Sequence, residues 1–328
     1  MFDPFDETWW RAGASLNWWD SEFAEPTGWM PDPDRALAWL RAHRPAAVCA
    51  LALLRSYRTC ETGQLHGLEP MLPAAPGAML WRSMASLGLV DLGYPINVDG
   101  RGAWFGPNAP FTAVRIAQHH TIRGRLAPLG LTPMETASIG PGTLRAQRQY
   151  DRHNLITTGM AVSARRAGWL TAGEGWCQFS RITGDGEDGE GGPDLALMGE
   201  TDLVFVEMTA SMGLTLESKF RKWDRILDHP AAGRIHVVWP AGGRGRGAAE
   251  IVRRLDGLCA DRPRQHAADA AEWTRTLACR DGFAPAPGRP RSPDRWGHRD
   301  MARLGAVYGM PAAGSWRLPE RLSGRYWG

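Results

Sequence analysis

The segment 193–209, PDLALMGETDLVFVEMT, decides how the second half of the chain is interpreted. Its two apolar runs, at 195–198 and 203–206, have the length of β-strands, and the polar residues between them suit a tight hairpin. Asp194 stands at the start of the first run and Glu207 follows the second, with twelve residues between them. Such a hairpin would bring both carboxylates to one edge of a sheet.

Two carboxylates at one edge of a sheet can bind a divalent metal ion. Without a cation they repel each other and raise each other's pKa values. Mg²⁺ relieves the repulsion at oxygen–metal distances of about 2.0–2.1 Å, and it polarises a phosphate and activates water for in-line attack. Asp194 and Glu207 are therefore the predicted metal ligands and catalytic carboxylates. A turn acid and an edge-strand acid that bind no metal remain the alternative.

The helix that follows this hairpin carries both lysines of the chain. Lys219 and Lys222 are the only lysines among 38 basic residues. A compact ammonium group and a planar guanidinium are not interchangeable, so the pair indicates a place where arginine does not serve. We predict that Lys219 is catalytic and neutralises the reacting phosphate, and that Lys222 holds a DNA backbone.

Outward from the hairpin, residues 149–262 predict a mixed-sheet α/β domain in the order α-β-β-β-α-β-α, in a chain that we expect to be α+β overall. The apolar face Leu216, Phe220, Trp223 and Leu227 predicts an amphipathic helix over 214–227. The continuous apolar run 235–239 predicts a buried strand. The other predicted elements are helices at 150–167 and 248–259 and strands at 176–182, 195–198 and 203–208.

The first half of the chain has a different order. Residues 34–106 predict helices at 46–57, 63–68 and 78–87, and then strands at 89–94 and 103–105, which is the order of a winged helix-turn-helix. The third helix would read DNA through exposed Arg82, Ser83 and Ser86. A winged helix used for protein contacts is the alternative.

The remaining segments carry weaker signals. Residues 1–33 are predicted to be an irregular arm with seven acids and five tryptophans, and 107–148 a linker with one short helix near 114–120. Residues 263–328 are predicted to be a basic tail rich in proline, glycine and arginine. The glycine-rich loop 242–247 could touch DNA phosphates through Arg244 and Arg246. A nucleotide-binding role for this loop is a third hypothesis.

The motifs PDLALM at 193–198, DLVFVEMT at 202–209 and LESKFRKWDRIL at 216–227 resemble the PD-(D/E)xK nuclease-like superfamily. They are specifically similar to the replication-relaxation family of actinobacterial plasmids and conjugative elements. Residues 51–65 and 80–93 resemble that family's N-terminal domain, and His153 resembles a histidine in the first helix of its nuclease-like domain. The resemblance covers roughly 34–260.

This resemblance implies a DNA-binding protein of a mobile element that acts in plasmid replication, relaxation or transfer, with duplex DNA and replication or transfer proteins as partners. Two departures bear on catalysis. The lysine expected two residues after the strand glutamate is replaced by Thr209, and an acid expected before the first motif is replaced by Gln178. A non-catalytic winged-helix adaptor therefore stays open.

Composition restricts the setting of the protein. No run of about 18 apolar residues occurs, so no membrane-spanning segment and no membrane partner are expected. The N-terminus lacks the pattern of a secretory signal. The five cysteines form no CxxC pair, so the sequence suggests neither a disulfide framework nor a zinc site. We expect a cytoplasmic protein.

Overall fold

The computed structural model describes most of the chain between residues 16 and 278. The ranges are 16–19, 28–94, 113–117, 122–132, 151–177, 191–198, 203–210, 215–228, 235–242 and 246–278, with the single residues Pro4, Glu135, Ile139, Phe179, Met212, Gly213 and Ala232. These residues form two compact units, which divide between Leu155 and Ile156. Each unit contains its own sheet. The mixed α and β content confirms the α+β class.

The first unit is built around a buried helix. Its elements are β1 (Asn17–Trp19), α1 (Pro33–Ala42), α2 (Arg44–Tyr57), β2 (Thr59–Glu61), α3 (Thr62–Leu68), α4 (Met79–Ser86), β3 (Val90–Tyr94), β4 (Ala113–Ile116) and α5 (Ile122–Leu126). Every residue of α2 from Ala47 to Tyr57 is buried, as expected for a helix that is apolar on all sides. Gly88 follows α4 with φ of 63°, the left-handed conformation that ends helices.

The sheet of the first unit corrects two predictions and contains one strand that was not predicted. Its strands lie in the order β1-β3-β4-β2, and all neighbours are antiparallel. The predicted irregular arm contains β1, the predicted helix near 114–120 begins in β4, and β2 had no counterpart. Strands of three or four residues are too short to show a period of two. The predicted strand at 103–105 lies outside the described residues.

A buried polar network joins the strands of this sheet to Asp151. Arg115 Nε donates to Asp91 Oδ2 at 3.1 Å, and both side chains are fully buried. The Arg115 guanidinium also lies 4.1 Å from the ring centroid of Trp18. Trp18 Nε1 and Thr59 Oγ1 each donate to a different oxygen of Asp151, at 2.8 and 2.9 Å. Burial raises the pKa of Asp151 above its ordinary value.

The second unit has a five-stranded mixed sheet. Its elements are α6 (Asp151–Arg166, shared with the first unit), β5 (Leu170–Gly173), β6 (Leu195–Met198), β7 (Leu203–Val206), α7 (Thr215–Leu227), β8 (Ile235–Ala241), α8 (Arg246–Cys259), β9 (Gln265–Asp269) and α9 (Ala270–Ala278). The strand order is β5-β6-β7-β8-β9. The first three strands are antiparallel neighbours, whereas β8 is parallel to both β7 and β9.

The first strand of this sheet was predicted in the wrong place. The sequence predicted it at 176–182, but β5 ends at Gly173 and Glu174–Trp176 form a 3₁₀ turn. The turn is closed by Cys177 N, which donates to Glu174 O at 3.1 Å. Trp176 and Cys177 are both buried. A buried turn contains apolar residues just as a strand does, and for this reason the sequence pattern was interpreted as a strand.

Helix α7 is held to the sheet by aromatic rings and a polar network. The Phe220 and Trp239 rings stack with centroids 3.9 Å apart, and the Trp223 centroid lies 5.0 Å from that of Phe205. Gln265 accepts from Trp239 Nε1 at 3.0 Å and donates to Asp224 Oδ1 on α7 at 2.7 Å. The amphipathic face predicted for this helix is therefore the buried one.

Helix length and hydropathy bear on the membrane question. Among the described residues, no single helix could by itself cross a membrane. The pair α1 and α2 passes the same test only when both helices are counted together, and they are bent by 95°.

Candidate active site

Two strand ends bring Asp194 and Glu207 to the same place. Asp194 immediately precedes β6 and Glu207 immediately follows β7, and Leu195 pairs with Val206 in the antiparallel ladder. Asp194 N donates to Val206 O at 2.9 Å. The negative charge of Asp194 acts on the carboxyl of Glu207. The structure thus brings the two predicted carboxylates together.

Glu207 is anchored on both carboxylate oxygens. It is 1% exposed. Oε2 accepts from Lys219 Nζ at 2.6 Å, and Oε1 accepts from Trp223 Nε1 at 2.8 Å. Both donors lie on α7, one turn apart, so a single helix fixes the orientation of the carboxylate.

Asp194 is anchored by the backbone. Its Oδ2 accepts from Met208 N at 2.7 Å, and its side chain is half-buried. This bond ties the start of β6 to the chain that leaves β7.

Burial and the charge of the ion-pair partner act in opposite directions on the pKa values of Glu207 and Lys219. Burial raises the pKa of Glu207 to about 7, the Lys219 ammonium opposes that rise, and the charge of Asp194 adds to it. Desolvation acts to lower the pKa of Lys219, but Glu207, Asp194 and Glu174 raise it above its ordinary value overall. Lys219 therefore carries a positive charge throughout the neutral range.

Thr209 stands where a lysine was expected, two residues after Glu207, and it carries no charge. Its amide donates to Pro240 O at 2.8 Å, and its hydroxyl donates to Glu207 O at 3.2 Å. Thr209 also forms an isolated parallel bridge with Ala241. The residue extends the sheet beside β8, and Lys219 provides the ammonium group from the neighbouring helix.

Glu174 is an acid of this site that sequence reasoning missed. It directly follows β5, and Gly173 pairs with Leu195 in the antiparallel ladder, so Glu174 stands across from Asp194. Its charge acts on Lys219. The sequence signal existed, but the misplaced first strand hid it and directed attention to Gln178, which lies outside the described residues.

The donor set fits a cation such as Mg²⁺ that keeps several waters. Among the described residues, no three His, Cys, Asp or Glu side chains form a group that could hold a metal ion. Mg²⁺ is commonly held by one or two carboxylates together with water and phosphate oxygens, and Asp194 and Glu207 would supply the two carboxylates.

The predicted DNA-reading face of α4 is covered. Ser83 is fully buried, which contradicts its predicted exposure. Arg82 Nε donates to Trp29 O at 2.7 Å, and Ser86 Oγ donates to Pro31 O at 2.7 Å. We call residues 28–31 the covering segment. This packing could not be predicted from the sequence, because the arm has no periodicity.

The other predicted contact residues are placed only in part. Lys222 Nζ lies 4.2 Å from the ring centroid of Phe179 and is half-buried. Arg246 begins α8, but its side chain and all of Arg244 lie outside the described residues. His153 is half-buried in the first turn of α6.

Comparison with known proteins identifies no relative. No family model, no curated protein and no solved structure matches the chain.

Proposed function

We propose that the second unit is a PD-(D/E)xK-like domain that binds duplex DNA and hydrolyses a phosphodiester bond with Mg²⁺, as part of a DNA-binding protein of a mobile element. One observation carries the proposal. Lys219 reaches Glu207 at 2.6 Å, and Asp194 and Glu174 lie at the same end of the sheet. Asp194, Glu207 and Lys219 are the set that the sequence motifs imply, with the lysine moved to the next helix, and Glu174 adds an acid that the motifs did not point to.

The sheet supports the same proposal. Strands β5, β6 and β7 form an antiparallel meander and β8 is parallel to β7, in the order α-β-β-β-α-β that the mixed-sheet nuclease-like domain implies. Both carboxylates stand at strand ends, where the backbone fixes their position. The topology of the sheet therefore determines the positions of the two carboxylates, and α7, which follows β7, carries the lysine.

The residues divide the chemistry between them. Asp194 and Glu207 would hold Mg²⁺, which when bound polarises the phosphate and activates water. Lys219, which carries its charge at neutral pH, would stabilise the negative charge that grows on the phosphate oxygens as water adds and the ester oxygen leaves. Trp223 and Met208 N would keep the two carboxylates in place.

The first unit supports a winged helix with a modified role. The order α2, β2, α3, α4, β3, β4, with β4 between β2 and β3, suits that fold. Because the covering segment occupies the Arg82 and Ser86 side chains, α4 is poorly placed to read bases. The start of the predicted tail forms β9 and α9 of the second unit instead. We therefore assign most DNA affinity to the second unit and to the arginine-rich residues 280–328.

A second candidate function is a non-catalytic winged-helix adaptor for replication or transfer proteins. Two observations favour it. The cation beside Glu207 already neutralises the carboxylate that would bind metal, and the face of α4 is closed by its own chain. In this case the second unit would bind DNA or protein without cutting.

The deciding experiment is nicking of a supercoiled plasmid with Mg²⁺ or Mn²⁺. Wild type should cut, whereas Asp194→Asn, Glu207→Gln and Lys219→Met should not. Glu250→Gln is the matched control, because the Glu250 side chain is 42% exposed and pairs with Arg253 and Arg254 of the same helix, α8. Absence of cutting by wild type with every divalent cation would leave the adaptor as the function.

DNA binding is measured separately on the same variants. Each phosphate that is neutralised should contribute about −0.9 to the slope of log affinity against log salt. Asp194→Asn should bind at least as well as wild type, because it removes a negative charge near the phosphate. Affinity that does not change with salt would contradict binding through the phosphate backbone.

A further inference from the structure

Two histidines in the second unit stand side by side on neighbouring strands. His236 lies on β8 and His266 on β9, and these strands are parallel, with Val238 opposite His266. Because side chains alternate along a strand, His236 shares a face with Val238 and hence with His266. Trp239 and Gln265 occupy the other face, where Gln265 reaches Asp224 of α7. The histidine pair is therefore separate from the Asp194–Glu207 site.

The two rings are spaced like ligands of one metal ion. His236 Nδ1 lies 3.2 Å from His266 Nε2, and the rings are inclined by 22°. Two nitrogens bound to one tetrahedral zinc ion at about 2.0–2.1 Å lie about 3.3 Å apart. The rings are stacked, so both would have to turn about χ2, a broad torsion, for their in-plane lone pairs to meet one ion.

The environment of His266 suits a metal ligand. Burial, and the charge of His236 whenever that ring is protonated, lower the pKa of His266 to about 4, so His266 is neutral at pH 7. Neutral imidazole is the form that binds metals. Both side chains are half-buried, which leaves room for water to complete the coordination.

We propose that His236 and His266 form a binding site for a borderline-soft divalent cation such as Zn²⁺, which clips β8 to β9. Imidazole nitrogen selects zinc, nickel or copper, whereas Mg²⁺ prefers oxygen. No third His, Cys, Asp or Glu joins the pair among the described residues, so water fills the remaining positions. The proposal does not depend on the nuclease-like function.

The test is a zinc titration of the tag-free, metal-free full-length chain, followed by calorimetry and by thermal unfolding. Wild type should bind zinc and unfold at a higher temperature with it. His236→Gln and His266→Gln should each weaken binding by more than the roughly tenfold cost of losing an outer-shell partner. His266→Cys, which restores a zinc ligand, should recover binding, and this recovery separates ligand loss from misfolding.

Two matched controls locate the ion. The double variant His119→Gln/His120→Gln removes the two consecutive histidines of the sequence and should bind zinc as wild type does. Glu250→Gln, which changes an acid of α8 that belongs to neither site, should also leave zinc affinity unchanged. Absence of zinc binding by wild type, or binding that survives loss of both His236 and His266, overturns the proposal and leaves a hydrogen-bonded imidazole pair.

Discussion

Lys219 Nζ lies 2.6 Å from Glu207 Oε2, and the two partners differ sharply in exposure, because the lysine side chain is 41% exposed and the glutamate side chain 1%. A buried carboxylate is thus held by a cation that solvent can reach. Removal of that cation leaves Glu207 buried without its ion-pair partner, which is more costly than loss of a surface ion pair.

Lys219→Met should therefore lower stability in a pH-dependent way. Burial raises the folded-state pKa of Glu207 to about 7, above its ordinary 4.5, so the carboxyl favours the folded state most at low pH and loses that contribution as pH rises toward 7. Lys219 limits the loss. We expect the variant to lose about 1–3 kcal/mol at pH 8, below the range for a fully buried pair, and much less at pH 5.

Urea denaturation at the two pH values measures this difference. Lys222→Met is the control, because Lys222 lies on the same helix and packs on Phe179 instead of Glu207. An equal loss of stability at pH 5 and pH 8 would show that Lys219 acts through packing and not through charge.

The residues of this site differ in how well the sequence predicts their positions. The runs at 195–198 and 203–206 are continuous, apolar and bounded by polar residues, so β6 and β7 could be placed within two residues. Lys219 stood out because lysine is rare in this chain. Glu174 could not be placed, because Trp176 and Cys177 are buried in a turn whose composition imitates a strand.

The first unit shows a second reason why predictions from the sequence were wrong. Trp18 was assigned to an irregular arm, yet it lies opposite Gly93 in the sheet, where a Cβ would meet the indole ring. Ser83 was predicted to be exposed from its position on an amphipathic helix. A helix has a solvent face only until another segment packs on it, and no local pattern announces the residues that do so.

Trp223→Phe should loosen the orientation of Glu207 without emptying the core. Phenylalanine keeps most of the apolar surface but removes the donor at 2.8 Å from Oε1. Because that bond favours the charged form, its loss should raise the pKa of Glu207 further and lower stability by about 1.5–3 kcal/mol at pH 8. Nicking should slow while DNA affinity remains.

Trp239→Phe is the matched control for this variant. Trp239 is equally buried and also donates one hydrogen bond, but to Gln265. Nuclear magnetic resonance titration of the Glu207 carboxyl should show a shift in Trp223→Phe and none in Trp239→Phe. Identical titrations in both variants would refute the positioning role of Trp223.

Arg82→Ala should reduce stability more than DNA affinity. The Arg82 side chain donates to Trp29 O and lies 5.6 Å from the Trp29 ring centroid, so it fastens the covering segment to α4. We expect a loss of about 1–2 kcal/mol in urea denaturation, while Arg35→Ala, an exposed arginine of α1, loses little. A large drop in DNA affinity with unchanged stability would restore α4 as the reading helix.

His266 should make the second unit sensitive to acid. Burial and then His236 lower its folded-state pKa to about 4 from the ordinary 6.5. The folded state therefore binds fewer protons than the unfolded state, and stability is lost as pH falls from about 6.5 toward 4. His266→Asn should flatten this decline in denaturation measured between pH 7.5 and 4.5, and His66→Asn should not. A decline that is unchanged in His266→Asn would contradict the assignment.

Glu174→Gln should weaken cleavage although Glu174 lies outside the motifs that drew attention to the site. Its position opposite Asp194 places a third negative charge near Lys219, where it raises the pKa of that lysine. Glutamine keeps the shape and removes the charge, so the rate of nicking should fall by roughly 10–100-fold, as for outer partners of a metal site.

Glu217→Gln, an exposed acid on α7 itself, controls for the change in net charge. Single-turnover nicking compares the two variants. If Glu174→Gln and Glu217→Gln both cut at the wild-type rate while Asp194→Asn is inactive, Glu174 influences Lys219 without contributing to the reaction, and the site consists of Asp194, Glu207 and Lys219 alone.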